Sequence, residues 1–162
     1  MNEREYSKQK TSAGLLMFRY EAGRLEVLLA HPGGPYFAKK DAGAWTLPKG
    51  LVDSHEAPLS AARREFEEET GFDAPAEGYL ELGEIRQKSG KLVLGWAFEG
   101  NGDPAEFRSN TFEMEWPPRS GRTASFPEID RIEWVTPEVA ARKLNPAQAS
   151  LVENLLRALG SG

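Results

Sequence analysis

One feature limits the folds open to this chain more than any other: a single amphipathic helix set between two blocks of strand pattern. Residues 58–70 place Leu59, Ala62 and Phe66 at the i, i+3, i+7 spacing of a buried stripe. Pro58 suits the first helical position and Gly71 the position just past the last turn, whereas Ala57 is a weak cap. Ahead of the helix, residues 13–18 read as a well-buried strand, Glu21-Ala22-Gly23 as a hairpin turn and residues 25–30 as the returning partner. Pro32-Gly33-Gly34-Pro35 then breaks the chain, and Trp45-Thr46-Leu47 reads as a short strand stopped by Pro48 and Gly50. Beyond the helix, residues 79–87 and 92–98 read as strands joined at Lys88-Ser89-Gly90, and residues 132–135 as another. Residues 137–144 and 146–159 are expected to be helical, with Leu151, Leu155 and Leu159 lining the apolar side of the second. Strands outnumber helices, with one helix mid-chain and two at the end. The expected class is α+β or mixed α/β.

Length and charge narrow the function. A chain of 162 residues that is 40% hydrophobic and 28% charged supports one compact domain, expected over residues 12–160 behind a polar arm at 1–11. Twenty Lys+Arg against 25 Asp+Glu give a net charge of −5, which argues against a broad basic face for nucleic acid. A polyanionic substrate stays open, because a bound divalent metal inverts the local field. The absence of Cys excludes disulfides, thiolate metal sites and a cysteine nucleophile. Two histidines, His31 and His55, are too few for a multi-histidine zinc site; the first ends an apolar strand and is expected to be structural, the second to face solvent. The first ten residues lack the apolar core of a signal peptide, and no apolar run approaches the roughly 20 residues of a membrane span. The expectation is a cytoplasmic protein with no membrane partner, monomeric or homodimeric.

The chemistry concentrates in residues 50–72. At roughly 100° per residue, Glu65, Glu68 and Glu69 fall within one arc of the helix, beside the stripe of Leu59, Ala62 and Phe66. Like charges converging there repel one another and weaken the helix. Hard oxygen ligands on one face are what Mg²⁺ or Mn²⁺ requires, and such an ion relieves the repulsion. A solvated acidic face is the competing reading of an Glu-Phe-Glu-Glu-Glu run taken alone.

The surrounding frame decides between them. The segment resembles the Nudix box of the Nudix hydrolases, G-x5-E-x7-R-E-U-x-E-E-x-G-U, where U is bulky and aliphatic or aromatic. Gly50, Glu56, Arg64, Glu65, Phe66, Glu68, Glu69, Gly71 and Phe72 match all nine specified positions over 23 residues. The resemblance implies an α/β/α sandwich around a mixed sheet. It implies metal coordination by Glu65, Glu68 and Glu69, with the Gly50 carbonyl as a further ligand, and one of these carboxylates polarising the attacking water. Arg64 and Glu56 take the role of a structural pair holding loop to helix. Lys49 is a candidate for a substrate phosphate, and Glu128 stands where many relatives place a further acidic residue near the metals.

The implied activity is Mg²⁺- or Mn²⁺-dependent hydrolysis of a nucleoside diphosphate linked to another moiety. Trp45-Thr46-Leu47-Pro48-Lys49-Gly50 is similar to the corresponding stretch of dinucleoside polyphosphate and diphosphoinositol hydrolases. Neither the proline of ADP-ribose-cleaving members nor the tyrosine of dinucleoside-polyphosphate-cleaving members stands at 88–90, where Lys88, Ser89 and Gly90 occur. Arg119 and Arg122 are candidates to clamp phosphates, because guanidinium pairs with them bidentately. Tyr36, Phe37 and Trp45 are candidates to stack a base, with core packing as the competing role. Residues 101–127 are expected to set specificity, although only 111–116 read as a strand. Two alternatives carry other functions: a catalytically idle nucleotide-binding or regulatory module, which retention of every box carboxylate disfavours, and an RNA 5′-end pyrophosphohydrolase, which the net charge disfavours.

Overall fold

The computed structural model describes residues 11–160. Eleven-residue strand β1 (Thr11–Glu21) is the spine of the molecule. It pairs antiparallel with β2 (Arg24–Pro32) through the expected hairpin, antiparallel with β3 (Lys49–Leu51) near its start, and parallel with β5 (Leu92–Glu99) along its length. β4 (Leu80–Arg86) lines the outer side of β5, and β8 (Ile129–Val135) pairs antiparallel with β2. The sheet order is β4-β5-β1-β2-β8 with β3 attached to β1, a mixed sheet because of the one parallel pair.

Residues 12–18 are buried on both sides of the sheet, so each face needs a cover. On one face Ala13, Leu15, Met17 and Leu28 pack against Ala62 and Phe66 of α1 (Pro58–Thr70). On the other, Leu16, Phe18, Val27 and Leu29 share a cluster with Ala140 of α2 (Pro137–Lys143) and Leu151 and Leu155 of α3 (Ala149–Ala158). The result is the expected α/β/α sandwich. Among the described residues no helix is long and apolar enough to cross a membrane.

α1 spans the expected residues. Ala57 makes no side-chain cap, and Gly71 closes the helix in a left-handed conformation (φ 79°), its N–H donating to the Glu67 carbonyl. Elsewhere the structure corrects the reading. Thr11 already belongs to β1, one residue ahead of the expected boundary; the rest of the arm lies outside the described residues. Trp45 and Thr46 form only single bridges, to Leu144 and Ala30, and the strand comes after Pro48, at Lys49–Leu51. It lies there because Gly14 admits it: a Cβ on Gly14 would stand 2.6 Å from the Pro48 carbonyl oxygen and 2.7 Å from Lys49 Cβ. β8 begins three residues earlier than expected, and the last helix begins at Ala149, after a single 3-10 turn at Pro146–Gln148. Residues 101–127 are not irregular throughout. They contain a hairpin, β6 (Thr111–Glu115) with β7 (Thr123–Pro127), that stands as its own two-stranded sheet.

Candidate active site

The acidic face of α1 meets the loop after β3, and Arg64 ties the two together. Its guanidinium donates to both Glu56 oxygens from Nε and Nη2 at 2.9 Å each, and to Glu65 Oε1 from Nη1 at 2.9 Å. Nη2 also donates to the Leu51 carbonyl at 3.3 Å. The planar fork suits this bidentate grip. Glu56 is held below the usual carboxylate range, first by the Arg64 hydrogen bonds and then by the Asp53 N–H, which donates to Glu56 Oε1 at 3.3 Å. Arg64 is correspondingly held above its ordinary value, chiefly by Glu56.

Inside that clamp the carboxylates crowd. Glu69 is only 6% exposed and hydrogen-bonds Glu65. Burial first, then Glu65 and Glu128, push its carboxyl up to about 9. Although Glu128 faces solvent over much of its surface, partial burial and Glu65 raise its carboxyl as well. Lys49 is the opposing charge: burial lowers its ammonium, and Glu69 and Glu65 act in the opposite sense. Gly50 is the floor under Glu65, since a Cβ there would fall on the carboxyl carbon and both oxygens of that side chain. Glu65, Glu69, Glu128, Lys49 and Gly50 are thus brought together.

Glu68 stands apart from them. Its side chain is 44% exposed and lies 3.6 Å from Arg64 Nη1. Among the described residues no group of three acidic or histidine side chains is arranged to enclose a metal ion as it stands. The donor chemistry nevertheless fits a hard divalent cation: several carboxylate oxygens on one wall, with a buried carboxyl that needs either a proton or a cation beside it.

The remaining candidates separate. Trp45 is fully buried, donates its indole N–H to Asp41 Oδ1 at 2.7 Å and belongs to the core, which removes it as a base-stacking residue. His55 is exposed. His31 is fully buried between Asp130 Oδ1 and the Lys40 carbonyl, each 2.7 Å from a ring nitrogen, and so fastens the loop after β2 to β8. Tyr36 and Phe37 are exposed on that loop. Arg119 and Arg122 lie in the turn between β6 and β7, one five-residue strand (about 14 Å at some 3.4 Å per residue) from the hairpin's root at α1. Sequence reading missed the anchoring of that root: the Asn110 N–H donates to the Glu68 carbonyl at 2.8 Å, and the Arg108 N–H to the Thr70 carbonyl at 2.9 Å. Main-chain contacts of this kind leave no trace in residue types.

An α/β/α sandwich whose mid-chain helix presents clustered carboxylates beside a glycine floor and a lysine defines a class of hydrolases acting on phosphoric anhydrides. Residues 8–155 match the family model of the NUDIX domain, and the chain belongs to the Nudix family. Nudix hydrolases use divalent metals. The chain is 30% identical to the RNA pyrophosphohydrolase of Bartonella henselae over 147 residues, covering 78% of this chain and 75% of that protein. It is 41% identical over 69 residues to the asymmetrical bis(5′-nucleosyl)-tetraphosphatase of Rattus norvegicus, covering 40% of this chain and 47% of that one. Among solved structures, a C. elegans Ap4A hydrolase in a binary complex superposes with a TM-score of 0.65 at 24% identity, over 94% of this chain and 98% of that chain.

Proposed function

We propose that the protein is an Mg²⁺-dependent (or Mn²⁺-dependent) pyrophosphohydrolase cleaving the P–O–P bond of a nucleoside diphosphate linked to another moiety, with dinucleoside polyphosphates as the favoured class. The convergence of Glu65, Glu69 and Glu128 on the Gly50 floor, opposite Lys49, carries this reading. Glu65, Glu68 and Glu69 would hold the ion, with Gly50 and Glu128 as further donors. When bound, a divalent ion neutralises phosphate charge and lowers the pKa of a water. Arg64 fixes the rotamer of Glu65 and anchors the loop that carries Gly50. Lys49, beside Glu69 and Glu65, would meet a phosphate oxygen, and one of the three carboxylates would receive the proton of the attacking water.

The 30% identical relative named as an RNA pyrophosphohydrolase supports a second reading, removal of pyrophosphate from RNA 5′ ends. One panel separates the two: diadenosine tetraphosphate, nucleoside triphosphates, ADP-ribose, a nucleotide sugar and a 5′-triphosphorylated oligoribonucleotide, each with and without Mg²⁺ or Mn²⁺. Metal-dependent cleavage led by diadenosine tetraphosphate is expected. A tenfold preference for the RNA end transfers the function to the second reading, and no turnover on any substrate with either metal refutes both.

A further inference from the structure

The β6–β7 hairpin and the loop after β2 form one wall rooted at the site. The Gly33 N–H donates to the Glu128 carbonyl at 2.8 Å, the Glu128 N–H to the Asn110 carbonyl at 2.9 Å, and the Asn110 N–H to the Glu68 carbonyl at 2.8 Å. Higher up, Phe112 and Phe126 pair across the hairpin at 6.0 Å, and a side chain on Gly34 would strike the Phe112 ring. At the top Tyr36 meets Trp116 edge to face, with centroids 5.4 Å apart at 84°, yet Tyr36 remains 57% exposed. The turn beyond is shaped around Glu115, whose carboxylate accepts the Arg119 N–H at 3.0 Å and the Gly121 N–H at 3.2 Å, holding Arg119 at φ 62°. The Arg119 and Arg122 guanidiniums have no ion pair among the described residues.

Tyr36, more than half exposed and fixed edge to face against the half-buried Trp116, matches a nucleobase at the outer end of that wall. Any base offers a π-face to stack. The wall starts at the main chain of Glu68 and Glu128 and ends about one strand length away, the reach of a polyphosphate with a nucleoside at its far end. We propose that Tyr36 and Trp116 form a stacking site for the second nucleoside of a dinucleoside polyphosphate whose anhydride lies at the carboxylates. This rests on the proposed function and names the part of the substrate that residues 101–127 select.

The test compares diadenosine tetraphosphate with adenosine 5′-tetraphosphate, which has the same phosphate chain and no second nucleoside. Tyr36→Ala and Trp116→Ala should each raise KM about tenfold for the first, with kcat unchanged, and leave KM for the second within twofold. Tyr36→Phe and Trp116→Phe, which keep a stacking face, should restore KM to within threefold and separate loss of stacking from a damaged hairpin. Equal effects on both substrates, no effect on either, or a KM effect confined to a 5′-triphosphorylated oligoribonucleotide would overturn the proposal. A titration without metal reads the surface apart from hydrolysis. Diadenosine tetraphosphate should quench tryptophan fluorescence in the wild type, with much of that quenching lost in Trp116→Phe. Absence of quenching overturns the stacking site, whereas quenching by a protein that hydrolyses nothing overturns only the catalytic reading.

Discussion

Gly50→Ala is the sharpest probe of the site, because it adds one methyl group and touches one functional group. Gly50 sits in β3 opposite Ala13, in backbone that alanine also adopts. The new Cβ would overlap the Glu65 carboxyl group, far inside the roughly 3.5–4.0 Å at which carbon atoms rest against each other. The strand pairing holds β3, so the movable partner is the tip of Glu65, which must shift by more than about 1 Å. That movement breaks its 2.9 Å hydrogen bond from Arg64, a partly exposed charge-assisted contact worth about 1 kcal/mol. For a domain of this size such a loss lowers Tm by about 2–4 °C. Activity should suffer far more, since a misplacement of about 1 Å at a catalytic group costs on the order of 100-fold.

The assay is kcat/KM on the best substrate of the panel, beside thermal melting without metal. Glu65→Gln on top of Gly50→Ala should add little, because the carboxylate is already out of place. Turnover of Gly50→Ala within threefold of wild type would show that the position of Glu65 is irrelevant to the chemistry. A fall in Tm beyond about 10 °C would show instead that β3 had been displaced rather than one side chain.

Glu68→Gln and Glu69→Gln should each leave a folded protein with little hydrolysis and with metal-free stability equal to or above wild type; wild-type turnover of Glu68→Gln would remove it from the metal site. The folded-state carboxyl of Glu69 lies at about 9, above its unfolded value, so the folded protein binds the extra proton and metal-free stability should fall as pH rises from about 4.5 to 9. Denaturant melts at both ends of that window should show the decline in wild type and a shallower one in Glu69→Gln; equal slopes would contradict it. Glu56→Gln breaks a bidentate, partly screened pair and should cost about 1–2 kcal/mol above pH 5, the difference fading at lower pH because the Glu56 carboxyl is held below its ordinary value. If Glu56→Gln instead abolishes Mg²⁺ binding at unchanged Tm, Glu56 belongs among the metal ligands. Arg119→Ala with Arg122→Ala should raise KM about tenfold, roughly 1.4 kcal/mol of binding, with kcat nearly constant, and wild-type kinetics at low salt would return both residues to solvent.

The parts of the fold legible in the sequence are those where a local constraint fixes the outcome. Pro58 and Gly71 bracket α1 because ring geometry and left-handed backbone leave few other places for them, and the helix runs between them. The acidic positions became candidates because crowding carboxylates on one face is unfavourable without a compensating ion, but it was the nine-position frame around them, not the charge run, that chose metal ligands over a solvated face. The β7 strand was not legible. Residues 123–127 offer one large apolar side chain and a terminal proline, and they become a strand by register with Thr111–Glu115 in a sheet with no buried face. Trp45 takes the core role that competed with base stacking, by contacts outside its own segment. Its burial is decided by Asp41, Leu144 and the cluster over the α2–α3 face, contacts that its neighbours in sequence do not signal. The partners of His31 were equally hidden, although its place at the end of an apolar strand already marked it as structural.

Charge placement explains how an acidic chain serves a polyanionic substrate. Arg64 is committed to Glu56 and Glu65, with the exposed Glu68 3.6 Å away. Lys49, with Lys91 near enough to act on it, faces Glu69 and Glu65, and the Glu69 and Glu128 carboxyls are both pushed toward the protonated form. In that state the carboxylates themselves offer a phosphate chain little attraction, and metal-free binding is left to the proposed stacking site. A divalent ion and a polyphosphate therefore need one another: the ion supplies the positive field, and the phosphate oxygens complete its coordination. Coupling of this kind is reciprocal, so whatever factor the ion contributes to substrate affinity the substrate returns to the ion. The net charge of −5 thus restricts the partners of the outer surface and leaves the chemistry of the cleft to its local groups.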